Sequence, residues 1–314
     1  MKYALHIAVF TISVCLSHTV HAAVLDIEEV TSPGGITAWL VQDDSVPVIA
    51  MEFGFKGAGS AQDPSGKQGL ARMLSNTMDE GAGSLSGQEF QEALRKDAIS
   101  LGFSATRDSV GGSLKTLTKN KDRAFELTEL ALTKPRLDKA AVDRMREGNR
   151  SRIKSSLADP GWKAARLSND RAFEDHPYAL NSGVTLSALK SIGPKDLDKF
   201  HEKVIGKNNL HVAVAGDISA EDLAAALDQI FGDLPDVEID EPAKHEIKNQ
   251  GKVYVYKDDI PQSVIEIMQP GISRTDPDFQ TAQVMNFILG SSGFGSRLTK
   301  EIREKRGLTY GIYS

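Results

Sequence analysis

Apolar residues recur along this chain with two different spacings, and each spacing predicts one kind of element. Alternation of apolar and polar residues at every second position is typical of half-buried β-strands. Residues 36–42 and 48–55 follow this pattern across a short polar turn, which predicts a β-hairpin. The apolar run 210–215 predicts a buried strand. Residues 103–117 predict a strand with a bulge or an exposed edge at Gly111-Gly112.

The second spacing, of three and four residues, predicts amphipathic helices. In residues 69–81, Leu70, Met73, Leu74 and Thr77 share one face, and a glycine stands at each end. A Ser86/Glu89 capping box and similar apolar stripes mark further helices. These are predicted at residues 86–96, 122–133, 139–157 and 219–231.

The pattern restarts after a segment rich in proline and acidic residues. Residues 253–268, with Pro261 inside them, echo residues 37–53, with Pro47 inside them. This predicts an α+β protein built as a tandem repeat of one α/β unit, with an antiparallel-rich sheet covered by helices. We expect a first domain at 24–233, a linker at 234–250 and the start of a second domain at 251–314. The second copy is much shorter than the first, so we expect the natural chain to continue beyond Ser314.

Composition, charge and the first residues limit the classes of function and the location of the protein. Hydrophobic residues make up 40% and charged residues 25% of the chain, as in ordinary globular proteins, and a net charge of −6 argues against non-specific nucleic-acid binding. Residues 1–23 combine Lys2, an apolar core and small residues before the end, which predicts a signal peptide and a periplasmic or secreted protein. The one cysteine, Cys15, would leave with that peptide. No later run has the length of a transmembrane helix.

The polar face of the 69–81 helix carries the residues with candidate chemistry. Arg72, Ser75 and Asn76 lie opposite the apolar stripe. Residues 72 and 76 have the i, i+4 spacing that two helical metal ligands would use. On these residues alone, a solvated outer face is the simpler explanation.

A resemblance to a known protein family suggests a role for this polar face. The sequence Gly-Leu-Ala-x-Met-Leu-x-x-x-Met followed by a Gly-x-Gly turn resembles the metal helix of the insulinase/pitrilysin zinc peptidases, which carry H-x-x-E-H there. The resemblance implies that Arg72 and Asn76 replace the two histidines and that Ser75 replaces the glutamate base. Counting back from Asp159-Pro160 places the third ligand, a glutamate in the family, on Arg152. We therefore expect no zinc in this chain. We expect Arg72 and Arg152 to pair with an anion or with acids such as Asp79, Glu80 or Glu147.

The same resemblance marks a second candidate site near the end of the sequence. Ser296-Arg297-Leu298 and residues 303–310 match a family segment in which an Arg and a Tyr reach towards substrate beside the zinc. Arg303 and Tyr310 hold those slots. The alternative is that both side chains only pack. The preceding Gly290–Ser296 segment is either a connector with Ser296 as a helix cap or a substrate-handling glycine-rich loop, as in the non-catalytic subunit of the mitochondrial processing peptidase.

Three functional hypotheses follow. The first is a catalytically silent subunit that binds extended or unfolded peptides and lends Arg303 and Tyr310 to an active H-x-x-E-H homologue in a heterodimer, with zinc only in that partner. The second is a purely structural or peptide-binding scaffold of the same fold. The third, ranked last, is an active peptidase with unrecognised ligands, because no two of its later histidines have i+3 or i+4 spacing. Those histidines are His176, His201, His211 and His245.

Overall fold

The computed structural model describes residues 26–179 and 185–314. The predicted signal peptide, residues 1–23, lies outside the described residues. Among the described residues, no helix is long and apolar enough to cross a membrane.

A six-stranded mixed sheet forms the base of the fold, with strand order β1-β2-β8-β3-β7-β6. Its neighbours pair antiparallel except for β2 and β8, which run parallel. A separate two-residue hairpin, β4–β5, follows the first helix. The strands are β1 Glu28–Thr31, β2 Thr37–Gln42, β3 Val48–Lys56, β4 Gly81–Ala82, β5 Leu85–Ser86, β6 Ser100–Ala105, β7 Ser109–Leu117 and β8 Leu210–Gly216.

Helices cover this sheet. Helix α1 packs against α7 and β6, and α3 packs against α8. Their bounds are α1 Leu70–Ser75, α2 Gly87–Lys96, α3 Lys121–Thr133, α4 Lys139–Ala158, α5 Pro160–Ala172, α6 Leu186–Ser191, α7 Pro194–Val204, α8 Ala220–Phe231 and α9 Phe279–Asn286. The mixed α/β architecture agrees with the predicted class, and the tandem repeat stays a prediction.

The alternation in the sequence decides which side chains enter the core. Along β3, Ile49, Met51, Phe53 and Phe55 are buried, whereas residues between them face outward. The predicted stripe of α1 is buried as well, and so is the α8 stripe that contains Leu223 and Phe231. Because burying one such side chain contributes about 1.5–3 kcal/mol, these stripes hold α1 firmly on the sheet.

Gly111-Gly112 form neither a bulge nor an edge, so that prediction was wrong. Strand β7 is continuous and lies between β3 and β6, which is the edge strand. The two glycines are needed because Phe53, which lies opposite Gly112 on β3, leaves no room for side chains at these positions. A Cβ on Gly112 would lie 2.4 Å from Phe53 Cζ, and one on Gly111 would lie 2.6 Å from the Phe53 carbonyl oxygen.

The predicted linker is attached to the first unit along much of its length. The side chain of Asn208 accepts from Val237 N and donates to Val237 O. Further along, Gln62 Nε2 donates to Asp240 O at 2.7 Å. His176 Nε2 lies 3.0 Å from the carbonyl oxygen of Ala243. Residues 235–250 are therefore attached to the preceding part of the chain by hydrogen bonds at several points.

The echo of the hairpin in residues 253–268 does not form strands in this structure. Residues 253–256 and 264–268 are irregular, and Val253 and Ile267 are 88% and 86% exposed. An extended segment becomes a strand only when a neighbour accepts its backbone hydrogen bonds and covers its apolar face, and an isolated hairpin is marginal in water. Helix α9 follows this segment and continues into a wider turn at Phe287–Ser291.

Candidate functional site

Helix α1 is held at its start by a buried carboxylate that precedes it in the chain. Asp63 is 5% exposed, and its two oxygens accept the backbone N–H groups of Gly69 at 2.5 Å and Ala71 at 3.0 Å. Gly69 has φ +105°, a left-handed conformation that favours glycine. Burial raises the pKa of Asp63 to about 6. The helix that resembles a metal helix is therefore firmly capped at its start, but it ends at Ser75 and is shorter than the predicted segment 69–81.

The outer face of α1 meets α4 through Asn149. The Nδ2 group of this buried residue donates to Asn76 Oδ1 at 3.0 Å and to Met145 O at 2.9 Å. Its Oδ1 accepts from Arg152 Nη2 at 2.7 Å. Two predicted site residues, Asn76 and Arg152, are thus connected by hydrogen bonds through Asn149. Sequence reasoning missed Asn149, although it stands one helical turn before Arg152.

Arg72 and Arg152 lie on two helices that contact each other, α1 and α4. Arg72 is half-buried, and its pKa is lowered first by burial and then by the charge of Arg152, while the carboxylate of Asp63 acts in the opposite direction. Burial also lowers the pKa of Arg152. Both guanidiniums keep their charge in a protein, so this position concentrates positive charge.

Ser75 has no catalytic surroundings. The residue is buried, and its Oγ donates to the carbonyl oxygen of Arg72 at 3.0 Å, one turn back in the same helix. This is the ordinary local hydrogen bond of a helical serine. A hydroxyl held in this way does not replace the glutamate base that the family carries at the position.

Two of the three expected acidic partners are engaged by other arginines. Glu80 forms an ion pair with Arg144, and Glu147 forms one with Arg150 at 3.0 Å. Both of these arginines lie on α4. The acid whose charge acts on Arg72 is Asp63, which the sequence did not single out.

The residues at this position do not fit a zinc ion. A guanidinium offers no lone pair, and the Asn76 carbonyl oxygen already accepts a hydrogen bond from Asn149. Across the described ranges, no group of three or more His, Cys, Asp or Glu side chains is arranged to hold a metal. We therefore derive no hydrolytic step through a metal in this chain.

The second predicted site has different surroundings. The guanidinium of Arg303 lies 4.7 Å from the ring centroid of Phe294, whereas Tyr310 is 85% exposed. Ser296 Oγ accepts the backbone N–H of Thr299 at 3.2 Å, which is the capping contact expected of it. Phe294 was not singled out from the sequence, yet it connects the Gly290–Ser296 segment with Arg303. The roles of Arg303 and Tyr310 stay predictions.

The edge strand β6 adds a surface for an extended chain. It pairs with β7 on one side only and packs against α1. A cavity of about 400 Å³ is lined by residues of β3, β7 and β6, among them Phe53, Gly112 and Phe103. An unpaired edge strand is the element that β-strand addition uses.

Comparisons with known proteins agree with the resemblance. Residues 191–314 match the family described as Peptidase M16 inactive domain. The non-peptidase homolog YmxG of Helicobacter pylori is 26% identical over 85% of this chain and 62% of its own length. The probable inactive metalloprotease YmfF of Bacillus subtilis is 28% identical over 46% of this chain and 35% of its own.

A solved structure shows the same fold over nearly the whole chain. The M16 inactive domain from Pseudomonas fluorescens superimposes with a TM-score of 0.77 at 25% identity, covering 92% of this chain and 70% of that one. The uncharacterized zinc protease SCO5738 of Streptomyces coelicolor is 23% identical to this chain over 92% of this chain and 64% of its own length. This chain therefore spans less than two thirds of the length of both YmxG and SCO5738. This chain is therefore similar in sequence and fold to M16 peptidases and to their inactive homologues, in agreement with the resemblance.

Proposed function

We propose that this chain is a catalytically silent subunit of an exported zinc metallopeptidase. The observation that carries the proposal is the capped start of helix α1, followed by Arg72, Ser75 and Asn76 at the positions of the two histidines and the base. The fold of a peptidase is kept, while the chemistry of metal binding and proton transfer is lost. Such a chain contributes to proteolysis only through binding or through a partner.

The partner in this proposal is an active homologue with an intact H-x-x-E-H helix. Arg303 and Tyr310 would reach its site, where a guanidinium and a phenol can donate hydrogen bonds to a peptide carbonyl or to the oxyanion that forms from it. Helicobacter pylori has relatives of both kinds, one named zinc protease PqqE and one named non-peptidase homolog. That coexistence supports a pairing of an active with an inactive chain.

The substrate class follows from the edge strand. Strand β6 can accept an extended or unfolded peptide along its open side, and α1 lies next to it. The predicted signal peptide at 1–23 places this activity in the periplasm or outside the cell.

The second candidate is a peptide-binding or structural scaffold that needs no active partner. The cavity beside β6 favours it, because that surface can hold a peptide without any contribution from Arg303 or Tyr310. Hydrolysis by the pure chain would instead support an active peptidase with unrecognised ligands.

Reconstitution separates these functions. Cleavage of an unfolded, fluorescently quenched peptide is measured for this chain alone, for an H-x-x-E-H homologue from the same source alone, and for their mixture. We expect hydrolysis only, or far faster, in the mixture, together with a heterodimer on gel filtration. A homologue that is fully active alone and forms no complex would exclude the subunit function. Peptide binding to this chain without a partner would then favour the scaffold.

A further inference from the structure

The cavity at β3, β7 and β6 opens on the exposed face of the sheet, opposite the face on which Met51 and Phe55 are buried. Two neighbouring rows of paired residues cross the three strands there, and all six members of these rows line the cavity. The first row is Glu52, Ser113 and Gly102, and the second row is Gly54, Gly111 and Ser104. Because three of these residues are glycines, backbone atoms form much of the cavity floor.

Two of the glycines have no explanation within the described part of the chain. Gly54 and Gly102 stand inside strands without a left-handed backbone, and a Cβ added to either residue would meet no atom within 4 Å. Glycine weakens the interior of a strand, and its usual reasons are a bulge or the close approach of a ligand or another backbone. The regular pairing of β3 and β6 with β7 excludes a bulge at both positions. The approach of a group from outside the chain therefore explains them best.

Open polar groups surround this space. The carboxylate of Glu52 is exposed and forms no ion pair or hydrogen bond with any described residue. The hydroxyl groups of Ser104 and Ser113 likewise have no hydrogen bond within the described ranges. Lys115 stands on the same face one row away, but it forms no ion pair with Glu52. A carboxylate and two hydroxyls that can all accept hydrogen bonds suit a cationic donor.

The cavity reaches the open edge of the sheet at Gly102. Thr106 N–H donates to Ser109 O at 2.8 Å, and hydrogen-bonded pairs alternate along an antiparallel ladder. Gly102 therefore uses its backbone groups on β7, whereas Phe103 presents its own to the open edge. An antiparallel peptide paired with that edge would place one residue directly opposite Gly102, and its side chain would lie on the face that carries the cavity.

We propose that the cavity receives the arginine side chain of a peptide strand added to β6, with Glu52 as the partner of its guanidinium. Such a strand lies three strand spacings from β3, about 14 Å, so only a long side chain can approach Glu52. The planar fork of arginine can bind the carboxylate through two parallel hydrogen bonds, while its other N–H groups bind serine hydroxyls. The missing side chain of Gly102 leaves the path from the edge open.

This inference rests on the proposed binding of extended peptides to β6 and narrows their class to peptides with an arginine at one position. Lysine is a weaker occupant, because an ammonium group cannot form the bidentate pair. An acidic side chain at that position would meet the charge of Glu52 and bind least.

Matched peptides test the preference on the full chain. Fluorescence anisotropy is measured at low ionic strength with a labelled, end-blocked heptapeptide Ser-Thr-Val-Arg-Val-Thr-Ser and with its citrulline counterpart, which keeps the shape and loses the charge. We expect the arginine peptide to bind about fivefold more tightly, as for an ion pair near the surface, and the lysine peptide to fall between the two. Equal affinities for arginine and citrulline would overturn the proposal.

A charge variant assigns the preference to one carboxylate. Glu52→Gln should remove the difference between the arginine and citrulline peptides. Glu29→Gln is the matched control, because Glu29 is an exposed carboxylate in the same row across the sheet but lies on β1, outside the cavity. It should keep the difference. Equal losses in both variants would mean that only net charge matters, which would overturn the site.

A filling variant tests the cavity itself. Gly102→Leu has room for its Cβ and should weaken the arginine peptide about fivefold, with a smaller effect on the citrulline peptide. Ser100→Leu adds the same side chain to the same face of β6 outside the cavity and should change either affinity less than about twofold. Thermal melting shows whether each variant is folded, and Gly54→Leu replaces Gly102→Leu if the latter is not. Unchanged arginine binding in a folded filling variant would exclude the cavity.

The two proposals fail in different ways. Equal binding of the arginine and citrulline peptides would leave peptide binding standing and remove the arginine site. If neither peptide binds, the small probe N-acetyl-arginine methylamide decides. Saturable shifts of the amide NMR signals of Gly54 and Gly102, absent with the citrulline analogue, would leave the arginine site standing and remove peptide binding. Unchanged signals would remove both.

Discussion

Asn149 Nδ2 donates a hydrogen bond to Asn76 Oδ1 across 3.0 Å, and this contact joins helix α4 to the end of helix α1. Asn76 stands at the position where the resemblance implies a metal-binding histidine. An amide pair has the donors and acceptors to tie two helices without a metal. Side-chain hydrogen bonds thus connect the two helices at positions where the resemblance implies metal ligands.

The first prediction concerns this contact. Asn149→Ala should lower the free energy of unfolding by about 1–3 kcal/mol, because it removes a buried amide and leaves Asn76 and Arg152 without its hydrogen bonds. Urea unfolding followed by circular dichroism measures the change. The neighbouring variant Arg150→Ala loses only an exposed ion pair and should cost well under about 1 kcal/mol. Similar costs for both variants would show that the amide contact contributes nothing special.

The second prediction is that the purified protein holds no stoichiometric zinc. A unit charge 4 Å from another contributes about 1 kcal/mol in water and about 4 kcal/mol at an intermediate dielectric, and a dication doubles each value. Two guanidiniums facing the metal position therefore oppose binding strongly. Elemental analysis after dialysis should find far less than one zinc per chain, and a chelator should leave the melting temperature unchanged. One tightly held zinc per chain would contradict both the prediction and the fit described above.

The third prediction follows from Asp63. Burial raises the pKa of Asp63 to about 6 in the folded protein, above the ordinary value of 3.8 for an aspartate, so folding favours the protonated form. The contribution of Asp63 to stability is therefore greatest below about pH 4 and declines as the pH rises to about 6, by at most about 3 kcal/mol.

Asp63→Asn removes this titration and keeps one acceptor oxygen for the start of α1. The difference in unfolding free energy between wild type and variant should favour wild type more at pH 4 than at pH 7. Asp79→Asn should act in the same direction, because burial also raises the pKa of Asp79 to about 6. A difference that stays constant over this pH range would show that Asp63 titrates alike in both states.

Local sequence patterns were sufficient to predict an element and its buried face where the spacing of apolar residues within that element fixes the face. The stripe of Leu70, Met73 and Leu74 predicted both helix α1 and its inner face, because helical periodicity alone fixes that face. The alternation in residues 48–55 predicted β3 for the same reason. The positions of Arg72 and Asn76 followed from the resemblance, and the structure brings Asn76 together with Arg152 through Asn149.

Contacts between distant elements could not be predicted in this way. Asn149 matters only because α4 packs on α1, and Asp63 matters only because its loop folds back over the first turn. Gly112 looked like a bulge, although its lack of a side chain makes room for Phe53 on the neighbouring strand. Residues 253–256 have the pattern of a strand, but a strand also needs a neighbour, which no pattern within the segment supplies.

The last prediction tests Arg303 and Tyr310 in the complex of this chain with its active homologue. If both side chains donate to the substrate in the partner's site, Arg303→Ala or Tyr310→Phe should slow peptide cleavage by about 10²–10³, the usual cost of one oxyanion donor. Controls come from the same segment: Arg306→Ala removes a nearby cation, and Tyr313→Phe removes the hydroxyl of a tyrosine that is also 85% exposed. Both controls should leave turnover close to wild type, and gel filtration should show that every variant assembles. The ring of Phe294 holds the Arg303 guanidinium at 4.7 Å, so Phe294→Ala should give a smaller loss by freeing that side chain. Unchanged turnover in an assembled Arg303→Ala/Tyr310→Phe double variant would assign this protein to the scaffold function, because its only remaining contribution would be to bind.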